Sequence, residues 1–158
     1  MRVKGLVDED FVNYKRPSMY IAMPYCTFKC EKESGVACCQ NSSLAQKEDF
    51  DVDVAHLVRR YLGNNVTSAV VFGGLEPLDS FTDVLCFIKT LRDSFCDDYI
   101  VIYTGYRKDE IADKIEKLMA YKNIIVKYGR FIPHQNKKFD DVLGVYLASP
   151  NQYAEVIC

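Results

Sequence analysis

The sequence predicts an α/β fold in which a mostly parallel sheet carries helices on its outer face. Strand-like apolar runs alternate along the chain with segments of helical periodicity. The runs are apolar almost throughout rather than at every second residue, which is typical of parallel strands buried on both faces. These strands are too few to close an eight-stranded barrel, so we expect an open partial barrel, with a doubly wound sheet as the alternative.

Five segments are predicted as strands because they are short, rich in β-branched and aromatic residues and bounded by turn residues. They are residues 19–23 (MYIAM), 68–72 (SAVVF), 99–103 (YIVIY), 124–128 (IIVKY) and 143–147 (LGVYL). A motif rich in cysteine, glycine or polar residues follows each strand directly. Since the carboxyl ends of parallel strands lie at one edge of a sheet, we expect these motifs to meet there and form a site.

Three segments have apolar residues at helical spacing: residues 53–62, a segment that begins at Ser80, and residues 109–121. Ser80 and Asp83 form a pattern like a capping box, which indicates where the second helix begins. In the third helix we expect Met119 to face the core with its apolar neighbours. In the second, the residues expected on the inner face are Val84, Leu85, Ile88, Leu91 and Phe95.

Length and composition indicate one globular domain over residues 1–158. The chain is 49% hydrophobic and 27% charged, which is ordinary for a protein with one core, and no linker, repeat or low-complexity segment interrupts it. A formal net charge of −2 provides no overall field for nucleic acid or an anionic membrane. No apolar run is long enough to span a bilayer and no signal peptide follows Met1, so we expect a cytoplasmic location without membrane attachment.

A cluster of cysteines follows the first predicted strand. Cys26 and Cys30 have C-x3-C spacing, and Cys39 comes soon after them. Clustered cysteines in odd number, without a signal peptide, favour metal binding over a disulfide framework. Three thiolates would leave one iron of a [4Fe–4S] cluster open to a small molecule, and Cys38 competes with Cys39 for the third position. Two alternatives are a zinc site with a fourth ligand from Cys38 or elsewhere, and reduced thiols without metal.

The other cysteines have a simpler interpretation. Cys86 lies on the second predicted helix and Cys96 near its end, and both are interpreted as small core residues. Cys158 is the last residue and is interpreted as incidental.

A Gly-Gly turn follows the second predicted strand. Gly73 and Gly74 lack side chains, which allows the backbone to approach a ligand closely, and Glu76 adds a carboxylate. The alternative is an ordinary βα turn in which Pro77 begins a helix and Glu76 lies near its positive end. Thr104, before the glycine that follows the third predicted strand, has the same two interpretations.

Two polar segments in the last third of the chain have weaker patterns. Ser149 and Asn151 follow the last predicted strand and are interpreted either as ligand contacts or as a polar turn. A basic stretch is interpreted as a solvated face, with docking of an acidic partner as the alternative. This stretch consists of Lys127, Arg130, His134, Lys137 and Lys138.

Together these motifs resemble those of radical S-adenosylmethionine (radical SAM) enzymes. Residues 19–41, a strand followed by C-x3-C and a C-x-N ending, resemble the cluster loop of that family. More narrowly, they are similar to the small activating proteins of anaerobic (class III) ribonucleotide reductase, whose Gly-Gly-Asp/Glu-Pro-Leu turn resembles residues 73–78. The resemblance spans residues 11–157, and the further similar segments are residues 11–13, 103–106, 129–131 and 149–152.

This resemblance implies a [4Fe–4S] cluster on Cys26, Cys30 and Cys39 and reductive cleavage of SAM to a 5′-deoxyadenosyl radical. The radical would abstract a hydrogen from a glycine of a large glycyl-radical partner, and an electron donor such as flavodoxin or ferredoxin would reduce the cluster. Two other readings are a radical SAM enzyme that acts on a small molecule or peptide, and a non-catalytic zinc or iron–sulfur module. The SAM contacts implied are Gly73, Gly74, Glu76, Thr104, Ser149 and Asn151.

The cysteine loop departs from the family pattern of C-x3-C-x2-C. Here eight residues separate Cys30 from Cys39, so residues 31–38 must bulge away from the cluster. By analogy with the Cys-Tyr-Asn of the family, Cys39 is favoured over Cys38 as the third ligand. Leu75 is an extra residue within the Gly-Gly turn, and Tyr128 stands where the subgroup often has Asp.

Overall fold

A six-stranded mixed sheet forms the centre of the computed structural model, which describes residues 1–158. Ten strands are present: β1 (Arg2–Val3), β2 (Gly5–Asp10), β3 (Ser18–Met23), β4 (Phe50–Asp51), β5 (Ala69–Gly74), β6 (Tyr99–Tyr103), β7 (Ile124–Tyr128), β8 (Lys138–Asp140), β9 (Val145–Leu147) and β10 (Tyr153–Val156). The central sheet has the order β10-β7-β6-β5-β3-β2, and β1–β4 and β8–β9 form two small sheets. Strands β3, β5, β6 and β7 run parallel, whereas β2 and β10 pair antiparallel at the two edges. The sheet is therefore open, as predicted.

Helical segments follow the parallel strands β3, β5 and β6. Short 3₁₀ turns precede two of the helices, at Pro77–Ser80 and Lys108–Ile111. No helix combines the length and the apolar character that crossing a membrane requires. The α-helices are α1 (Lys29–Ser34), α2 (Ser42–Ala45), α3 (Val54–Leu62), α4 (Phe81–Asp93) and α5 (Ala112–Leu118).

One face of the sheet carries the larger apolar core. In β5, Val70 and Phe72 belong to this core, whereas Ala69 and Val71 belong to a smaller cluster on the opposite face. All buried side chains of α3, α4 and α5 belong to the larger core, so the three helices cover the same face. A doubly wound sheet would carry helices on both faces. That alternative is wrong, and the predicted α/β sheet with helices on its outer face is confirmed.

Several predicted helix details are wrong because the helices are shorter than expected. Helix α4 ends at Asp93, the chain turns left-handed at Phe95 (φ 59°), and this ring is 98% exposed instead of packing inward. Met119 follows the end of α5 and is also exposed. The predicted start of the second helix is confirmed, since Ser80 is the residue before α4, but its side chain makes no capping hydrogen bond because a 3₁₀ turn leads directly into the helix.

Two of the predicted burial and strand assignments also need correction. Cys86 is exposed on α4, whereas Cys96 is half-buried against the core, so the core interpretation holds only for Cys96. The fifth predicted strand is shortened to β9, which pairs with β8 outside the central sheet. Leu143 lies in the turn before β9 and is buried in the smaller cluster.

Candidate functional site

The motifs that follow the parallel strands meet around one cavity of about 370 Å³. The cysteine loop follows β3, the Gly-Gly turn ends β5, and further wall residues follow β6, β7 and β9. The predicted convergence is confirmed for the motifs after β3, β5, β6 and β7, because these parallel strands direct their carboxyl ends to this edge. The turn after β9 reaches the cavity from outside the central sheet. The predicted site residues that line the cavity are Cys26, Cys30, Cys39, Gly73, Gly74, Glu76 and Thr104.

The three cysteines reach this cavity from different parts of one loop. Cys26 lies between β3 and α1, Cys30 lies in the first turn of α1, and Cys39 follows that helix. Burial raises the pKa of the Cys26 thiol to about 11 and also raises the pKa values of Cys30 and Cys39. All three are therefore protonated at neutral pH in the ligand-free protein, and iron binding must release protons.

The thiols of this loop do not form a compact site for a single ion. No three cysteine, histidine or carboxylate side chains converge closely enough to hold one metal ion. Tetrahedral zinc would need sulfur atoms about 3.8 Å apart, from the usual Zn–S length. A four-iron cluster is larger, so its thiolates must stand further apart. Cys26, Cys30 and Cys39 instead line one cavity, where their three thiols could share a group larger than a single ion.

Cys39 is better placed than Cys38 to be the third ligand. Cys39 lines the cavity, and its backbone N–H donates to Glu31 Oε1 at 3.0 Å. The Cys38 sulfur is not part of the cavity wall and lies 3.3 Å from the Ser34 hydroxyl. The geometry supports the choice of Cys39, which stays a prediction.

The Gly-Gly turn is joined to the cysteine loop by backbone and side-chain hydrogen bonds. The Leu75 N–H donates to the Met23 carbonyl and the Glu76 N–H to the Tyr25 carbonyl, at 3.2 and 2.7 Å. The Asn41 side chain donates to the Gly74 carbonyl at 2.5 Å. The asparagine of the C-x-N motif thus connects the end of the cysteine loop to the turn.

Gly74 is a position that only glycine fits. Its φ is +80°, and an added Cβ would lie 2.9 Å from both the Ala22 Cα and the Met23 nitrogen. We expect Gly74→Ala to lower the free energy of unfolding of the cluster-free protein by at least about 1–2 kcal/mol, the cost of left-handed backbone for a residue with a Cβ. Urea unfolding measures this.

Gly5→Ala is the matched control for that substitution. A Cβ there meets only the Ala22 Cβ, at an ordinary 3.7 Å, so its effect should stay within about 0.5 kcal/mol. If the two variants unfold at the same urea concentration, the steric requirement at Gly74 is wrong.

Glu76 is a buried carboxylate on the cavity wall. Its Oε1 accepts from Leu78 N–H at 3.1 Å and from the Thr104 hydroxyl at 2.8 Å, and its Oε2 accepts from Gly105 N–H at 2.8 Å. Burial raises its pKa to about 7, although these hydrogen bonds act in the opposite direction. The hydrogen bond from Leu78 N–H also makes Glu76 the cap of the 3₁₀ turn. The Glu76 carboxylate thus has the structural role of an ordinary βα turn and also lies on the cavity wall, where it could contact a ligand.

Lys127 is a cavity residue that the sequence analysis missed. It was grouped with a solvated basic stretch, but it is buried, and so is Arg130. The Lys127 ammonium donates to the Gly129 carbonyl at 3.0 Å and lines the same cavity as Glu76. Burial lowers the pKa of Lys127 to about 8, and the Glu76 charge opposes this. The signal in the sequence was a lysine inside an otherwise apolar strand. Such a strand is buried on both faces, so this side chain could not belong to a solvated surface.

A carboxylate and an ammonium on one cavity wall suit a ligand with the complementary pair of charges. The pKa values of both groups lie near neutrality. A ligand charge of opposite sign, held beside either group, would therefore stabilise the charged form of that group. An α-amino acid moiety carries both such charges. Glu76 and Lys127 can therefore bind and orient a zwitterion.

Ser149 and Asn151 lie beside the cavity and do not line it. The Ser149 hydroxyl accepts from Ile132 N–H at 3.3 Å, and the Asn151 side chain donates to the Arg130 carbonyl at 2.8 Å. Gln152 does line the cavity, and its side chain connects the turn after β9 to Gly129. Ser149 and Asn151 thus stabilise this turn, and their contact with a ligand stays a prediction.

A comparison with protein-family models finds a match over most of the chain. The model described as a 4Fe-4S single cluster domain matches residues 15–151, and this family is found in radical SAM-related proteins. The matched range contains the cysteine loop, the Gly-Gly turn, Thr104 and Lys127, and it ends one residue before Gln152. No curated protein and no solved structure matches the chain.

Proposed function

This chain belongs to the 4Fe-4S single cluster domain family, and from that premise we propose that it is a radical SAM enzyme whose cluster is held by Cys26, Cys30 and Cys39. When bound, such a cluster supplies the electron that cleaves SAM to methionine and a 5′-deoxyadenosyl radical. The observation that carries this proposal is that the three cysteines share one cavity with the buried pair Glu76 and Lys127.

The protein's own side chains would bind and orient SAM. Glu76 would accept from the ammonium of the methionine moiety, and Lys127 would donate to its carboxylate. Gly73 and Gly74 leave room for the ligand to approach the backbone at the end of β5. Burial of both charged groups strengthens their interaction with the ligand, because little water competes for them.

We propose a large glycyl-radical protein, similar to class III ribonucleotide reductase, as the substrate. Exposed apolar side chains at the mouth of the cavity support a macromolecular partner: Val12 and Tyr146 line the cavity and are 74% and 69% exposed. Apolar groups of this kind at a functional opening are typical of protein interfaces. A donor such as flavodoxin or ferredoxin would supply the electron, and seven free cysteines are consistent with a reducing cytoplasm.

Electron paramagnetic resonance tests the central part of this proposal. The protein is reconstituted anaerobically with iron and sulfide, reduced with dithionite, and measured at low temperature with and without SAM. We expect a [4Fe–4S]⁺ signal that changes when SAM is added, together with 5′-deoxyadenosine in the product mixture. A cluster whose spectrum ignores SAM would instead indicate an electron-transfer protein, and zinc in place of iron would indicate a structural module.

A further inference from the structure

Helix α1 (Lys29–Ser34) contains the second cysteine of the loop, Cys30, extends into the segment that leads to Cys39, and packs no residue into the core. A helix of this length is unstable alone in water, so contacts outside it must hold it. The helix is terminated by Gly35, which adopts φ 71° and donates its N–H to the Glu31 carbonyl, and the Glu31 side chain accepts a hydrogen bond from Cys39 N–H. The position of Cys39 therefore depends on where α1 lies.

Two charged residues close to α1, Glu110 and Arg130, form an ion pair that the helix contacts. Arg130 follows β7, and both of its terminal nitrogens donate to the Glu110 carboxylate at 2.7 Å. The Arg130 side chain is only 7% exposed, and these hydrogen bonds lower the pKa of Glu110 to about 2. The two parallel hydrogen bonds between Arg130 and Glu110 make the geometry of this ion pair rigid, and both groups stay charged at all physiological pH values.

Helix α1 contacts both members of this pair. The Glu33 Oε1 lies 3.2 Å from Arg130 Nε, an ion-pair distance although not aligned as a hydrogen bond. The Lys29 ammonium lies 3.5 Å from Glu110 Oε1 and 4.5 Å from the centre of the Tyr106 ring. Residues four apart share one helix face, so α1 presents one positive and one negative charge to a matching pair.

We propose that Lys29 and Glu33 clamp helix α1 onto the Glu110–Arg130 pair and thereby position Cys30 and Cys39 for cluster binding. Glu33 is a positioning residue, because it acts through the cysteines and does not line the cavity, whereas Lys29 also forms part of the cavity wall. Eight residues separate Cys30 from Cys39, and an unconstrained segment of that length would have to lose conformational entropy before Cys39 could bind the cluster. The clamp therefore compensates for the long spacing between these cysteines. The inference rests on the cluster-binding part of the proposed function and not on SAM cleavage.

Iron loss to a ferrous chelator tests the clamp in the anaerobically loaded protein. We expect Glu33→Gln to lose iron about fivefold faster than the wild type, because the variant removes the partly exposed ion pairs of Glu33 with Arg130 and, at 3.9 Å, with Arg107. The control is Lys32→Gln, on the same helix but exposed and without an ion pair, which should match the wild type. In 1 M salt, where the screening length falls to about 3 Å, the wild-type rate should approach that of Glu33→Gln.

Thiol alkylation provides a second test, in the cluster-free protein. Iodoacetamide should modify Cys39 about fivefold faster in Glu33→Gln than in the wild type, while half-buried Cys96, far from α1 in the fold, reacts at an unchanged rate. Equal Cys39 rates in the two proteins, or equal iron loss from Glu33→Gln and Lys32→Gln, would overturn the clamp. A wild type that takes up no cluster would contradict the proposed function, and alkylation would still decide whether the clamp exists.

Discussion

Replacement of Cys39 by alanine is expected to abolish cluster binding, whereas Cys38→Ala should retain it. The structure places the Cys39 side chain on the cavity wall beside those of Cys26 and Cys30, while Cys38 is held near the Ser34 hydroxyl. Loss of one of three thiolates leaves too few ligands for a stable cluster. Iron and sulfide content per chain after anaerobic reconstitution, with the visible absorption spectrum, measures the difference.

Cys30→Ala and Cys86→Ala complete this series. Cys30→Ala should lose both the cluster and SAM cleavage, whereas Cys86, exposed on α4, should be replaceable without effect. If Cys38→Ala is the variant that loses the cluster, the third ligand has been assigned wrongly. Retained SAM cleavage in Cys30→Ala would contradict the radical SAM assignment itself.

The parallel strands could be predicted because the signal for each strand lies within its own short stretch of sequence. Strands β3, β5, β6 and β7 are buried on both faces, so each appears in the sequence as a short, nearly continuous apolar run. The edge strands β2 and β10 were missed. Their sequences, GLVDED and YAEV, mix polar with apolar residues and leave apolar side chains such as Val7 and Val156 exposed, so only pairing with the completed sheet makes them strands.

The cavity could be predicted from the same rule, but its electrostatics could not. Cysteines and glycines at strand ends are visible in the sequence, and the order of the strands brings them together. Lys127 acquires its role only because β7 lies in the same sheet as the strand that carries Glu76 to the cavity. Likewise, Glu33 meets Arg130 from a distant part of the chain. No local pattern indicates which of many charged residues will face each other.

Glu76→Gln is expected to weaken SAM binding by about tenfold to a hundredfold, the range for loss of a charge-assisted hydrogen bond in a buried site. The amide also fits the site poorly. Both carboxylate oxygens accept hydrogen bonds from the protein, so one of these donors, such as Gly105 N–H, would face the amide NH₂ group. Anaerobic calorimetry with the cluster-loaded protein measures the dissociation constant, and Glu48→Gln, an exposed carboxylate, is the control.

The pH dependence of SAM binding identifies the contact with Glu76 more specifically than the loss of affinity in Glu76→Gln does. Burial raises the pKa of Glu76 to about 7, so below this pH the ligand-free protein holds the carboxyl group neutral, and ionisation must precede contact with an ammonium. Wild-type affinity should therefore rise about fivefold between pH 6 and pH 8, because the ionisation of Glu76 is partly offset by the loss of charge on Lys127 near pH 8. Glutamine does not titrate, so Glu76→Gln should bind SAM weakly with no such rise. A rise that persists in the variant would assign the titration to another group and remove Glu76 from the ammonium contact.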